Sequence, residues 1–249
     1  MNMEKIIGIR NDKTIFKDGA LVIKTFHKNY TKAQVLNEAL NHARVEETEL
    51  CVPKLLSVTE QNGQWVMVYA YVQGQTLEHI MQKNSDRFDH YLEIFVNLQL
   101  EVHQQNIMHL RKQKDRLIEK IEKTDLLATT RYELQRKLDM MRVHKKLCHG
   151  DFNPSNIIID QDGRYYIIDW AHATIGNASG DASATYLDFL INDNQEHAEK
   201  YLDLYCQKTK TSKTYVKAWL PIVAAARLLK AKKNEKDKLL EIINQRNDI

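Results

Sequence analysis

The stretch His149–Ala173, HGDFNPSNIIIDQDGRYYIIDWAHA, holds two short apolar runs with polar residues at their ends. Ile157–Asp160 and Tyr165–Asp169 are joined by Asp160-Gln161-Asp162-Gly163, a tight-turn signal, so the pair reads as a β-hairpin. A hairpin brings its outer ends together. Asp151 and Asn156 stand before its first strand and Asp169 closes its second, so these three are expected at one end of a small sheet. Two carboxylates and a carboxamide in one place suit a hard divalent cation and a catalytic carboxylate. Pro154, one of three prolines in the chain, fixes the turn where no strand hydrogen bond is lost. Asp160 and Asp162 open like a calcium loop, but the twelfth position is Ala171 rather than Glu, so they are turn residues.

Composition bounds the rest. A chain of 249 residues, 43% hydrophobic and 28% charged, is long enough to bury a sizeable core in one large domain or two small ones. A net charge of +3 gives no argument for nucleic acid or membrane. The apolar run WLPIVAAA stops at Arg227, far short of a span, and the N-terminus reaches charge too early for a signal peptide. Cys51, Cys148 and Cys206 are scattered and odd in number, which suits a reducing compartment. The expectation is a cytoplasmic protein with no nucleic-acid or membrane partner.

Working outward from the hairpin, the chain changes character near Val72. Before it, KIIGIR, KTIFKDG, ALVIKTF and GQWVMVYAYV read as strands, punctuated by Asn11-Asp12, Asp18-Gly19 and Asn62-Gly63. One helix interrupts them: Leu36, Ala39, Leu40 and Ala43 recur at helical spacing behind Thr31, a candidate N-cap. From GQTLEHIMQ onward the pattern is helical apart from the hairpin. DHYLEIFVNLQLEVHQQ is one long segment, MHLRKQKDRLIEKIEK and TRYELQRKLDMMRVHKK form a basic pair, and the tail from Glu196 is helical. The basic pair reads as a solvated face, because both charge signs are interspersed. The expected domains are 1–72, a small α+β lobe, and 73–249, a mainly helical lobe.

The spacing His-x-Asp-x-x-x-x-Asn, followed by an aspartate at the end of the next hairpin, is the kinase catalytic-loop pattern. With IIDWAHA, VIKTF, YVQGQTL, LEVHQQ and GDASATYLDF in order, the chain resembles the aminoglycoside phosphotransferase and choline kinase group of small-molecule kinases. That resemblance implies an α+β, bilobal protein-kinase-like fold: a small antiparallel-sheet lobe with one helix, then a larger, mainly helical lobe. It implies a kinase acting on a small hydroxylated molecule, with Mg2+ and ATP or GTP. Asp151 matches the catalytic aspartate, and Asn156 and Asp169 the magnesium ligands. Lys24 matches the phosphate-contacting strand lysine, and Glu38 its helical partner ahead of Glu46 and Glu47. The backbone of Tyr69, Ala70, Tyr71 and Val72 matches the hinge that pairs with the purine. His103 and His149 read as structural histidines.

Departures narrow the reading. Gly150 stands where protein kinases carry arginine, DWA replaces DFG, and no G-x-G-x-x-G precedes Lys24. Without an APE motif or room for an activation loop, a small-molecule kinase is favoured over an atypical protein kinase. A non-catalytic nucleotide-binding module is disfavoured, because Lys24, Asp151, Asn156 and Asp169 are all present. Leu147–Glu199 is acidic, with Arg164 its single basic residue. If Asp181 and Asp188 face the substrate, a cationic amino sugar or amino alcohol is favoured; alternatively Asp181 caps the following helix. A choline-type ligand wants an aromatic cage, for which Tyr186, Tyr205, Tyr215 and Trp219 are candidate walls, core packing being the competing reading.

Overall fold

The computed structural model describes residues 5–10, 13–192 and 195–245. It divides into two compact units, Met1–Arg87 with Pro154–His172, and Phe88–Asn153 with Ala173–Ile249.

In the first unit, β1 (Lys5–Arg10), β2 (Lys13–Asp18), β3 (Leu21–Phe26), β4 (Leu55–Gln61) and β5 (Gln64–Ala70) form an antiparallel sheet in the order β1-β2-β3-β5-β4. The β4–β5 turn sits at Asn62-Gly63, both left-handed at φ 51 and 74, as a tight hairpin demands. The expected Asn11-Asp12 turn lies outside the described residues. β4 escapes the sequence reading because LLSVTEQ alternates weakly and follows Pro53 without a clear start signal.

The helix α1 (Lys32–Glu46) starts as expected: Gln34 N–H donates to Thr31 Oγ1 at 3.3 Å, and Thr31 N–H donates to Gln34 Oε1 at 2.9 Å. Its buried face differs from the expectation. Val35, Glu38, Ala39, His42 and Val45 face inward, while Leu36 and Leu40 are 43% and 47% exposed and Ala43 is also exposed. The physical reason is satisfaction of polar groups. Glu38 meets lysines on the sheet, and His42 Nε2 donates to Pro53 O at 2.7 Å, which fixes the helix rotation at the cost of two half-wet leucines.

Gly74–Thr76, expected to be helical, is a short strand paired with Ile158–Asp160, and Thr76 then caps α2 (Leu77–Lys83). The hairpin itself forms as read, with Ile157 opposite Ile167. Asp160 accepts from the N–H groups of Asp162 and Arg164, so both aspartates act in the turn.

The second unit is mainly helical: α3 (Phe88–Gln104), α4 (Gln113–Glu122), α5 (Ala128–Met140), α6 (Ala178–Asn192), α7 (Gln195–Thr209), α8 (Lys213–Ala218), α9 (Leu220–Leu228) and α10 (Lys233–Asn244). Among the described residues a two-stranded ribbon pairs Lys146–Cys148 with Thr174–Gly176. One core gathers Leu117, Ile121, Leu138, Trp219 and Ile222; elsewhere Phe95 packs against Phe152 with the ring centroids 4.8 Å apart. Among the described residues no helix is long and apolar enough to cross a membrane.

Candidate active site

Strand alternation decides which side chains of the first unit meet. Lys24 lies opposite Ile15 and Met67, on the face of β3 that also carries Phe26. That face packs against α1 through Phe26, Met67, Val35 and Ala39. Glu38, one turn before His42, therefore comes down onto the lysine. Lys24 is 7% exposed, and its Nζ donates to Glu38 Oε1 at 2.5 Å and to Asp169 Oδ1 at 3.0 Å. Burial works against the ammonium, but Asp169 and Glu38 outweigh it and hold the Lys24 pKa well above its ordinary value.

Lys13, which the sequence reading did not single out, takes the other oxygen of Glu38 at 2.7 Å and lies near the rings of Phe26 and Tyr30. Burial and the neighbouring Lys24 lower its pKa, against the pull of Glu38 and Asp169. The signal was available: Lys13 pairs in register with Phe26, so period-two alternation puts it on the face of Lys24.

Asp169 is presented by the hairpin. Ile167 ends the second strand, and Ile168 N–H donates to Asn156 O at 2.9 Å, tying the residue before Asp169 to the start of the first strand. Asp169 itself sits at φ 65, a left-handed conformation that few non-glycine residues adopt and that collects at functional positions. The turn Trp170–His172 after it packs against α1, with Trp170 buried and its Nε1–H donating to Ile167 O at 3.0 Å. Burial alone would raise the Asp169 carboxyl, but Lys24 and Lys13 hold it well below the usual carboxylate range. Asn156 is fully buried in the turn Pro154–Asn156.

A cavity of about 230 Å³ opens beside this cluster, lined by Val22, Ala70, Tyr71, Val72, Ile158 and Ile168, with Lys13, Lys24 and Asp169 at its polar part. Tyr69 also lines it. Two amides of this segment are committed: Ala70 N–H donates to Lys54 O at 2.9 Å and Tyr71 N–H to Ala20 O at 2.8 Å. Among the described residues, Val72 N–H makes no backbone hydrogen bond.

In the second unit, Asp151 stands exposed on the loop that leaves the strand Lys146–Cys148. Gly150 before it has φ 77, a conformation a side chain would strain, which is why arginine has no place there. The loop is tied down from α6: Gly150 N–H donates to Asp181 Oδ1 at 2.7 Å and His149 N–H to Asp181 Oδ2 at 3.2 Å. His103 Nε2–H donates to the same carboxylate at 3.0 Å. Burial opposes the charge of Asp181, but His103 and the Gly150 amide keep its pKa below the ordinary value. Thr185 Oγ1 donates to Phe152 O at 2.9 Å and fastens the far side of the loop.

The residues offered to a substrate are used internally. Asp181 is 2% exposed with both oxygens engaged, so it neither faces a ligand nor caps α6; Asn177 Oδ1, which accepts from Ser179 N–H at 2.9 Å, does the capping. Asp188 pairs with Arg227 at 2.8 Å. Tyr186 is buried and donates its hydroxyl to Glu199 at 2.6 Å. Tyr205 and Trp219 are core residues, and Tyr215 accepts from Asn177 Nδ2 at 2.8 Å.

Among the described residues, no three His, Cys, Asp or Glu side chains gather as a metal cage. Asp169 and Asn156 offer hard oxygen donors, one anionic and one neutral. That set fits magnesium, which takes one or two protein ligands and completes its shell with water and phosphate.

The phosphotransferase enzyme family (APH) matches residues 7–219, and the chain belongs to that family. Its fold is similar to that of a thermostable mutant of aminoglycoside phosphotransferase APH(4)-Ia, solved in ternary complex with AMP-PNP and hygromycin B. The two share 12% identity at a TM-score of 0.71, over 98% of this chain and 94% of that one. Choline kinase LicA from Streptococcus pneumoniae is 17% identical, with a TM-score of 0.61 over 98% of this chain and 93% of its own. A choline/ethanolamine kinase family protein from Mesorhizobium loti is 16% identical, with a TM-score of 0.58 over 97% and 88%. No curated protein matches the chain in sequence at a significant level.

Proposed function

We propose that the chain is a kinase that moves the γ-phosphoryl group of ATP or GTP to a hydroxyl of a small molecule, in a reducing, cytoplasmic setting. The observation that carries this reading is the buried Lys24, held by Glu38 at 2.5 Å and Asp169 at 3.0 Å at the polar part of a cavity edged by Tyr69–Val72. A buried lysine shared by two carboxylates is positioned and kept charged before any ligand arrives, which is what a triphosphate requires. Residues 1–72 would take the nucleotide, with Val72 N–H available to the purine edge; residues 73–249 would supply the catalytic loop and the acceptor side.

In this reading Lys24 contacts the phosphates and Glu38 fixes the lysine. Asp151 accepts the hydroxyl proton as the acceptor oxygen bonds to the γ-phosphorus and the bond to the bridging oxygen of the nucleoside diphosphate breaks. Asn156 and Asp169 would hold Mg2+, which when bound neutralises phosphate charge. APH(4)-Ia, with AMP-PNP and hygromycin B in its solved complex, supports nucleotide and small-molecule binding by analogy of fold. The test is incubation with Mg2+, labelled ATP or GTP, and parallel pools of small hydroxylated acceptors and a generic protein. Label on a small molecule, abolished by Asp151→Asn, is expected; label on protein alone would make it an atypical protein kinase, and nucleotide binding without turnover a regulatory module.

A further inference from the structure

The polar part of the cavity in the first unit carries a cation that no kinase motif accounts for. Lys13 opens β2 directly opposite Phe26, and two residues further on Ile15 stands opposite Lys24. Strand alternation therefore puts Lys13 on the same face of the sheet as Lys24, diagonal to it across the β2–β3 ladder. Both ammonium groups converge on one carboxylate of α1. Glu38 Oε2 accepts from Lys13 at 2.7 Å, and its Oε1 accepts from Lys24 at 2.5 Å. Both lysines line the same cavity as Asp169.

Pairing with Glu38 does not by itself explain Lys13. Glu38 already has Lys24, and a second ammonium with only 13% of its side chain exposed loses hydration and meets the repulsion of the first. The fold nevertheless holds it there: Lys13 Nζ lies 5.2 Å from the centre of the Phe26 ring and 5.4 Å from that of Tyr30. An ammonium has three N–H donors. Lys24 spends two of them, on Glu38 and Asp169. Among the described residues, Lys13 spends one, on Glu38. The larger unused donor capacity at this end of the cavity belongs to Lys13, not to the lysine of the kinase pattern.

We propose that Lys13 is a second phosphate-binding residue, which with Lys24 forms a two-ammonium clamp on the polyphosphate chain of the donor. That the anion is a nucleotide's polyphosphate rests on the phosphotransfer reading above. In protein kinases the amides of a glycine-rich loop cover the phosphates. No G-x-G-x-x-G precedes Lys24 in this chain, and Lys13 supplies charged donors from β2 in their stead. Without nucleotide, Glu38 and Asp169 balance the two lysines charge for charge. With Asp169 given over to Mg2+, the lysines keep Glu38 alone, and the surplus positive charge faces the phosphates. Such a clamp selects for a polyanion and is indifferent to the base.

Equilibrium binding of ATP, adenosine and inorganic tripolyphosphate to the whole protein tests this, in wild type, Lys13→Met and Lys13→Arg. Lys13→Met should weaken ATP and tripolyphosphate about tenfold each while leaving adenosine within about twofold, and Lys13→Arg should recover most of the loss. Adenosine reports at the same time that the cavity keeps its shape in the variant, since Glu38 retains Lys24. ATP affinity unchanged in Lys13→Met, or ATP and adenosine weakened alike, overturns the proposal and leaves the phosphotransfer reading standing on Lys24. A wild-type protein that binds ATP no better than adenosine overturns both. Lys13-dependent ATP binding with no turnover on any hydroxylated acceptor supports the clamp and sinks the phosphotransfer reading.

Discussion

Asp169 and Asp181 are both carboxylates held below their ordinary pKa, yet they are held by different means. Asp169 answers to lysines: Lys24 at 3.0 Å and the field of Lys13 offset its burial, and the residue sits in a left-handed backbone. Asp181 answers to His103 and to the backbone amides of His149 and Gly150, and nothing about it is solvent-facing. Ammonium groups on long stems can re-aim when a phosphate arrives, whereas amides of a fixed loop cannot. One carboxylate belongs to a cluster that can exchange partners; the other is a framework post.

The comparison can be broken most readily at the loop that Asp181 supports. Asp151→Asn should lower kcat about a thousandfold with little change in melting temperature, since the side chain is exposed. A variant with near-normal turnover on every acceptor would remove Asp151 from the chemistry. Asp181→Ala should cost about 3 kcal/mol of unfolding free energy, because it leaves the His149 and Gly150 amides and His103 without an acceptor. Asp169→Asn should cost about 1 kcal/mol or less in stability, Lys24 keeping Glu38, while losing turnover. If chemical denaturation ranks Asp169→Asn as the more damaging of the two, the distinction drawn between cluster and framework fails.

A smaller effect sharpens the first region. Lys13→Met should raise the KM for ATP about tenfold, roughly 1.4 kcal/mol, with the acceptor KM unchanged. Equal losses of ATP and adenosine binding would mark Lys13 as structural only. The smallest effect is in pH. The folded-state pKa of Asp169 is depressed, so its stabilisation is complete above the unfolded value of about 4 and is lost as pH falls below it. Denaturation curves of wild type and Asp169→Asn should therefore converge below pH about 4. A gap that widens on acidification would contradict the sign of the shift.

Much of this molecule was legible before any coordinates. The hairpin Ile157–Ile167 follows from two apolar runs and a turn rich in Asp and Gly, because β-pairing across a tight turn is a local matter. The same locality exposes Thr31 as a cap, the long helices, and the spacing of Asp151, Asn156 and Asp169. What stayed hidden depended on rotation and partners. Leu36 and Leu40 looked like the inner face of α1, but Glu38 had lysine partners on the sheet and His42 the carbonyl of Pro53, and these turned the helix toward themselves. Asp181 looked available to a substrate, since a sequence shows a carboxylate without showing which amides it already serves.

The sequence by itself determined the class of fold and the order of its reactive groups, because periodicity, turn chemistry and fixed spacing act over a few residues. Tertiary structure alone decided which charges are spent and which remain, because pairing of Lys24 with Asp169, or of Gly150 with Asp181, joins positions far apart in the chain.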